Sequence, residues 1–420
     1  MSPLLYFLLV AIAFLALLGV VLEEKTHVNK AKITLFLGSL SWLILFLHSA
    51  GQPDAEHIQE GFAENLGEIS GLWIFLMAAM TFVAYLNKKG VVESLVYLIL
   101  PKSIGERSLL FLVGTFCFLF SSLADNITAT LVSMTLILSL KMKPEKTLRF
   151  CVMAIFAVNS GGVALITGDV TTLMIFLNGK VSIGDLLLLS VPAYLAVLLL
   201  GAMLSLPLKG GVQIDGMPAP VRPVEVGIGI LFLLTIVSTI FLNAFFGIPP
   251  VLTFLFGLSM LFLVARFFDE DNDHDPILEY IRTIEFETLL FFLGILLLVG
   301  MLKEIGVLSS LGQIYNHVPA VFANYLVGLL SATIDNVPLT AALLKTGLVI
   351  SESEWLALTY AVGVGGASLV IGSAAGIVAM SKYKELTFMT YMRFFPVLII
   401  AYTSGYVGVL GVSYLFGRVA

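Results

Sequence analysis

Charged residues are scarce in this sequence. Only 12% of its 420 residues are charged and 59% are hydrophobic, whereas charged residues make up about 25% of an ordinary soluble domain. No polar stretch is long enough to fold as a separate soluble domain. Apolar runs of roughly 20 residues, each able to cross about 30 Å of hydrocarbon, recur along the chain. The sequence therefore predicts an all-α polytopic membrane protein, surrounded by lipids and without a nucleic-acid partner.

Cysteine is scarce as well. The two cysteines, Cys117 and Cys151, lie in apolar segments, which excludes a disulfide framework and any metal-binding spacing. The first apolar run, residues 3–22, has no Lys or Arg before it and no small-residue cleavage pattern after it. We expect a retained first helix whose N-terminus lies outside the cytoplasm.

The few charges predict the topology, because Lys and Arg accumulate in cytoplasmic loops. Lys25 and Lys30 place the first loop inside, and the acidic loop 51–68 without Lys or Arg lies outside. The acidic segment 269–275 is predicted inside despite its charge, and the C-terminus outside. About ten full spans follow from this count: 3–22, 31–50, 69–87, 150–178, 187–208, 225–246, 250–267, 286–303, 356–381 and 390–416.

Two apolar stretches interrupt this alternation. The stretch at about 108–140 has basic residues on both flanks, so both of its ends are predicted to be cytoplasmic. An apolar segment that enters and leaves on one side is a re-entrant hairpin, and its polar midpoint at 121–126 is the predicted turn. A second hairpin is predicted at about 320–345.

The two hairpins belong to an internal repeat. The segment SSLADNITAT at 121–130 resembles SATIDNVPLT at 331–340, and glycine pairs further along also match. Eight basic residues flank the first hairpin and two flank the second, so the second should enter from outside. We predict inverted repeats at 1–208 and 225–420, joined by a cytoplasmic linker at 209–224. Secondary transporters typically have this arrangement, with the binding site at the midplane.

Each hairpin tip carries an acid, Asp125 or Asp335. An ionised carboxylate in hydrocarbon is costly, so an intramembrane acid indicates function. The alternative is that each Asp only caps the following helix, which is compatible with ion binding. Hard alkali cations bind carboxylate, carbonyl and hydroxyl oxygens. The neighbouring oxygen donors are Asn126, Thr130, Asn336 and Thr340.

Glycine clusters predict that the helices at about 150–178 and 356–381 are broken, because a glycine pair can interrupt a membrane helix and free backbone carbonyls. The alternative is close helix packing by small residues. The predicted break residues are Gly161, Gly162, Gly168, Gly365, Gly366 and Gly372. The oxygen donors beside the breaks are Asn159, Thr167, Asp169, Thr171, Thr172 and Ser373.

The two breaks differ in charge. Asp169 has no acidic counterpart, because Ser373 occupies the matching position in the second half. The first break is therefore the more anionic one. We expect Asp169 to be a place where a proton and a sodium ion compete.

Five short motifs together resemble the NhaD-type sodium/proton antiporters of the ion transporter superfamily. They are LADNI at 123–127, NSGG at 159–162, TGDVTT at 167–172, IDNVPLT at 334–340 and IGSAAG at 371–376. The resemblance covers roughly 65–415. It implies a bacterial inner-membrane antiporter that serves pH homeostasis, and a homodimer in which a hairpin-bearing transport domain moves against a scaffold. It also implies Na⁺ or Li⁺ and H⁺ as the transported ions and no cofactor.

The function predicted for the chain is Na⁺(Li⁺)/H⁺ exchange by alternating access, rather than enzymatic catalysis. Carboxylates at the site would hold either a cation or a proton. The residues predicted to bind Na⁺ are Asp125, Asn126, Asp169, Asp335 and Asn336.

Three other functions remain open. The first is a channel. The second is an anion transporter, either a permease for arsenite or another anion or a sodium-coupled anion symporter. The two tip carboxylates oppose the anion transporters, because they would repel a dianion. The third is an intramembrane aspartyl protease with a Gly-x-Gly-Asp motif, but Ile166 stands where its first glycine would be.

Overall fold

The computed structural model describes residues 3–21, 28–99, 101, 103–213, 221–268, 281, 284, 286–308 and 314–415. The first part of the chain forms helices α1 Pro3–Val21, α2 Lys30–Ser49, α3 Ala55–Lys88, α4 Val91–Ile99, α5 Glu106–Leu123, α6 Asn126–Ser139, α7 Pro144–Gly162, α8 Val170–Leu177 and α9 Ile183–Ser205. The second part forms α10 Pro223–Phe246, α11 Pro250–Phe268, α12 Phe286–Glu304, α13 Ile314–His317, α14 Ala320–Leu330, α15 Asn336–Lys345, α16 Glu352–Gly365, α17 Ala374–Lys382, α18 Phe388–Met392 and α19 Phe395–Leu415.

Within the described residues, nine helices are long and apolar enough to cross a membrane: α1, α2, α3, α5, α9, α10, α11, α12 and α19. Eight of them coincide with predicted spans, and α5 is the first arm of the first predicted hairpin. The other two predicted spans are the broken helices. The prediction of an all-α polytopic membrane protein is confirmed.

Helix α3 corrects one predicted boundary. It begins at Ala55 rather than at residue 69, so most of the predicted outer loop is helical. The acids Glu56, Glu60, Glu64 and Glu68 are four residues apart and exposed, and this spacing places them on one side of a helix. The loop prediction was wrong because it weighed their charge and not their spacing.

Several short elements were not predicted, among them α4, α13 and two strands. Helix α4 precedes a two-stranded antiparallel sheet in which β1, Ser103–Gly105, pairs with β2, Gly211–Gln213. Strand β2 belongs to the predicted linker, so the linker is anchored beside the start of α5. Arg107 Nε reinforces this anchor by donating to the Leu208 carbonyl at 2.9 Å. Segments 214–220 and 269–275 lie outside the described residues.

Helix α7 occupies the centre of the protein, and α10 lies at its periphery. Every α7 residue from 150 to 162 is buried, as expected for a helix that is packed on all sides. In contrast, α10 exposes a row of large apolar side chains that includes Ile230, Val237 and Phe241. Such a surface is suited to hydrocarbon.

Helices α2 and α12 form a closely packed parallel pair. A Cβ on Gly38 would lie 2.6 Å from the Gly294 carbonyl oxygen, so a larger residue would not fit there. One turn further along, Trp42 Nε1 donates to the Leu297 carbonyl at 2.9 Å. The pair brings the start of α2 beside the start of α12.

The chain reverses direction between α5 and α6. Ala124 and Asp125 are extended, and Cys117 Sγ lies 3.1 Å from Ser133 Oγ although sixteen residues separate them. Residues that far apart in one continuous helix would be about 24 Å apart. The predicted turn at 121–126 is thus confirmed, whereas entry and exit on one membrane face stay a prediction.

Candidate functional site

A cavity of about 250 Å³ lies where the two predicted hairpin tips meet both helix breaks. It brings together residues that are far apart in the sequence. The predicted residues that line it are Asp125, Asn126, Asn159, Thr167, Gly168, Asp169, Asp335, Asn336 and Ser373.

Asp125 caps helix α6 while it faces this cavity. Its Oδ1 accepts hydrogen bonds from the backbone N–H groups of Ile127 and Thr128, both at 3.0 Å. Its Oδ2 accepts from Thr128 Oγ1 at 2.7 Å. Three donors therefore hold this carboxylate. Asp125 both caps α6 and lines the cavity.

Asp335 caps helix α15 with fewer local donors. Its Oδ1 accepts from the Val337 N–H at 3.1 Å. Pro338 occupies the position that matches Thr128, and proline has neither a backbone N–H nor a hydroxyl group. The other oxygen, Oδ2, lies 3.5 Å from Lys30 Nζ, so an ammonium group from α2 stands in place of the missing donors.

The residues at the end of the cavity that α2 and α12 form were not predicted from the sequence. Asn29, Lys30, Glu287 and Phe291 line it there, and Asn29 Nδ2 donates to Glu287 Oε2 at 2.5 Å. The Lys30 ammonium also lies 4.5 Å from the centre of the Phe291 ring. Lys30 was interpreted only as a marker of topology, and its partner Asp335 is 305 residues away.

The first helix break positions Asp169. Helix α7 ends at Gly162 and α8 begins at Val170. Between them, Asp169 is extended and caps α8 through Oδ1, which accepts from the Thr171 N–H at 3.3 Å. Its Oδ2 accepts from Asn336 Nδ2 at 3.1 Å, so an acid of the first half contacts the hairpin tip of the second.

Asn159 makes a second bond between the halves. Its Nδ2 donates to the Ser373 hydroxyl at 3.1 Å and to the Ile155 carbonyl at 2.8 Å. Its Oδ1 is buried and accepts no hydrogen bond from the described part of the protein. This amide oxygen is thus available to a cation in the cavity.

Glycine allows the hairpins to contact the broken helices directly. A Cβ on Gly161 would lie 2.1 Å from the Phe118 carbonyl oxygen, and one on Gly365 would lie 2.0 Å from that of Gly328. The predicted alternative of close packing by small residues is therefore correct at these positions, and it accompanies the breaks. The break glycines fall at both interruptions: Gly161, Gly162 and Gly168 in the first, and Gly365, Gly366 and Gly372 in the second, where two 3₁₀ turns, Gly366–Ser368 and Val370–Gly372, join α16 to α17.

Four predicted threonines do not line the cavity. Thr130 Oγ1 donates to the Asn126 carbonyl at 2.7 Å, and Thr340 Oγ1 donates to that of Asn336 at 2.8 Å. Both hydroxyls bond one turn back along their own helix. Thr172 Oγ1 donates to the Gly162 carbonyl at 3.3 Å, and Thr171 contributes its backbone N–H to Asp169.

Matching contacts recur in the two halves. Ser121 Oγ donates to the Val158 carbonyl at 2.7 Å, and Ser331 Oγ, at the matching position, donates to that of Val362 at 2.8 Å. In each case the first hairpin arm is joined to the broken helix of its own half. The repeat found in the sequence thus has a counterpart in hydrogen bonding.

The cavity is chemically suited to a cation. The carboxylates of Asp125, Asp169 and Asp335 line it, together with amide and hydroxyl oxygens. These are the ligand types that hard cations prefer. A multivalent anion would meet these three carboxylates and that of Glu287 at short range.

The sequence matches the citrate transporter family over residues 6–363. A Na(+)/H(+) antiporter NhaD of Vibrio cholerae is 30% identical, with 91% of this chain and 87% of that protein covered. The NhaD antiporter of Alkalimonas amylolytica is 29% identical, with 96% and 89% covered. Sodium/proton antiporter 1 of Arabidopsis thaliana is 30% identical, with 89% and 67% covered. The chain therefore belongs to the NhaD family of sodium/proton antiporters, within the broader citrate transporter family.

Proposed function

We propose that this protein exchanges sodium ions for protons across the inner membrane by alternating access. The observation that carries the proposal is the convergence of Asp125, Asp169 and Asp335 on one cavity. Relatives that bear the name Na(+)/H(+) antiporter cover most of the chain, which supports the same activity here.

Competition for the same oxygens would give exchange. A carboxylate that binds Na⁺ cannot carry a proton on the oxygens it uses, so loading with one ion expels the other. The amide oxygen of Asn159 adds a neutral ligand. We propose Asp169 as the principal place of competition, because it joins both halves through Asn336.

Citrate-type substrates fit this cavity poorly. A dicarboxylate or tricarboxylate would have to enter beside three aspartates, and the Lys30 ammonium already faces one of them. Coulomb repulsion between the substrate carboxylates and these aspartates is strong where water is largely excluded. The match to the citrate transporter family therefore supports the transporter class rather than an anionic substrate.

Alternating access would follow from inverted repeats, and contacts at the helix ends support this arrangement. Lys180, just beyond α8, lies 5.3 Å from the ring of Trp355 at the start of α16. The Tyr383 side chain, just beyond α17, lies beside Thr147 at the start of α7. Each broken helix thus ends where the other begins, so the two run in opposite directions.

The remaining parts of the proposal come from the sequence and from family resemblance. Li⁺ would replace Na⁺, both termini would be periplasmic, and two copies would form a homodimer. Transport would need neither a cofactor nor catalysis.

Everted vesicles from a host without its own sodium/proton antiporters provide the test. A pH-sensitive dye is quenched by respiration, and Na⁺, Li⁺ or K⁺ is then added. We expect Na⁺ and Li⁺ to restore fluorescence. Asp125→Asn and Asp335→Asn should abolish this response while the protein still inserts, because each removes one carboxylate from the cavity.

The matched control is Glu145→Gln, which removes an exposed acid outside the cavity. It should behave as the wild type. The proposal is wrong if no alkali cation moves protons through the wild-type protein, and the site is wrong if both tip variants keep wild-type rates.

A further inference from the structure

The two hairpin tips differ in how their carboxylates are neutralised. Asp125 receives three hydrogen bonds from its own hairpin. Asp335 has Pro338 at the position of Thr128, and the Lys30 ammonium faces its second oxygen at 3.5 Å. A positive charge from a distant helix thus occupies one of the two tips.

We infer that Lys30 acts as an internal cation, which the transported cation must displace from Asp335 before it can bind there. The inference rests on the proposed function and adds a specificity-determining residue to the same site. Both side chains are largely buried, with 20% of Lys30 and 16% of Asp335 exposed. Their attraction is therefore less screened by water than that of a surface pair.

The position of Lys30 is fixed by packing and not by the hairpin. Lys30 is the first residue of α2, which Asn29 caps by accepting from the Ala31 N–H at 2.8 Å. Asn29 also bonds to Glu287 at the start of α12, and the Gly38 contact locks the two helices together. The ammonium therefore approaches Asp335 from a rigid support.

Two consequences follow for the exchange cycle. Removing the competitor should tighten cation binding, because Na⁺ no longer displaces an ammonium group. Before a cation or a proton binds there, the ion pair also joins the second tip to α2. Na⁺ or a proton on Asp335 weakens this link, so the tip would be released when it is loaded.

The experiment measures Na⁺ binding to the purified full-length protein, by the Na⁺ concentration that half-saturates its thermal stabilisation. Lys30→Gln should lower this concentration roughly tenfold, about 1.4 kcal/mol. Lys30→Arg keeps a cation that can pair with a carboxylate through two hydrogen bonds. Its half-saturating Na⁺ concentration should equal or exceed that of the wild type.

Lys32→Gln is the matched control. Lys32 lies on the same helix and is exposed, so its removal subtracts the same charge outside the cavity and should leave Na⁺ binding unchanged. A structural role alone would weaken binding in Lys30→Gln or leave it unchanged, and either result overturns the inference. Tighter Na⁺ binding in Lys30→Arg than in the wild type would also overturn the inference. This second test remains decisive if Lys30→Gln does not fold. A wild-type protein that neither binds nor exchanges alkali cations would instead refute the proposed function.

Discussion

Replacing Asp169 with Asn should abolish exchange while the fold is kept. Asn is as good an N-cap as Asp, so its Oδ1 can still accept from the Thr171 N–H. The new Nδ2 would meet Asn336 Nδ2, but rotation of the Asn336 amide presents its oxygen instead. The hydrogen bonds that residue 169 makes with Thr171 and Asn336 then lose their charged acceptor, which lowers the stability of the fold by about 1 kcal/mol for each bond.

The loss of cation affinity should be larger. A Na⁺ ion about 4 Å from a carboxylate gains about 4 kcal/mol at an effective dielectric constant near 20. Because ~1.4 kcal/mol is a factor of ten, removing this charge should lower Na⁺ affinity about a thousandfold. The variant should therefore unfold only slightly earlier without Na⁺ but show no Na⁺ response at concentrations that saturate the wild type.

Sodium-induced dequenching across a range of pH tests this expectation. Ser373→Ala is the matched control, since Ser373 occupies the position of Asp169 in the second half and caps α17 with a neutral hydroxyl, 3.3 Å from the Gly376 N–H. It should lose transport less completely than Asp169→Asn loses proton coupling, and it should lose about 1 kcal/mol of stability. Asp169→Glu should stay active with an altered pH profile. A normal rate and pH optimum in Asp169→Asn would refute the reasoning and move the proton to Asp125 or Asp335.

Two further predictions concern topology and packing. Single cysteines at Glu145 and Val349, in a background without the native cysteines, should react with an impermeant reagent from opposite membrane faces; reaction from the same face would overturn the inverted repeat. Gly161→Ala should lower the free energy of unfolding by about 3 kcal/mol, because its Cβ meets a backbone oxygen at 2.1 Å. Gly71→Ala, which meets nothing within 4 Å, should be neutral or slightly stabilising in the same thermal unfolding assay.

The tips and breaks were predictable because their signals are local. An Asp-Asn pair in an apolar stretch and a repeated glycine pair each predict a structure without knowledge of distant contacts. The structure places Asp125, Asp169 and Asp335 in one cavity, although their role in ion binding stays a prediction.

The contribution of Lys30 could not be predicted in the same way. A lysine at a helix start satisfies the charge rule for cytoplasmic loops, so the sequence offers no reason to seek another role. Its approach to Asp335 depends on how α2 packs along α12, which is decided by residues such as Gly38 and Trp42. The sheet formed by β1 and β2 was missed for a similar reason, because each strand is three residues long and gains its partner from a remote segment.

The hydrogen bonds between the halves also constrain how the protein is made. The hydrogen-bond partner of Asn159 is Ser373, which is synthesised 214 residues later, and that of Asp169 is Asn336, which is synthesised 167 residues later. At a synthesis rate of about 5–20 residues per second, Asn159 stays without this partner for roughly 10–40 s. During biogenesis the first half therefore presents polar groups that only the second half satisfies, and the insertion machinery has to shelter them from lipid until Asn336 and Ser373 have been translated.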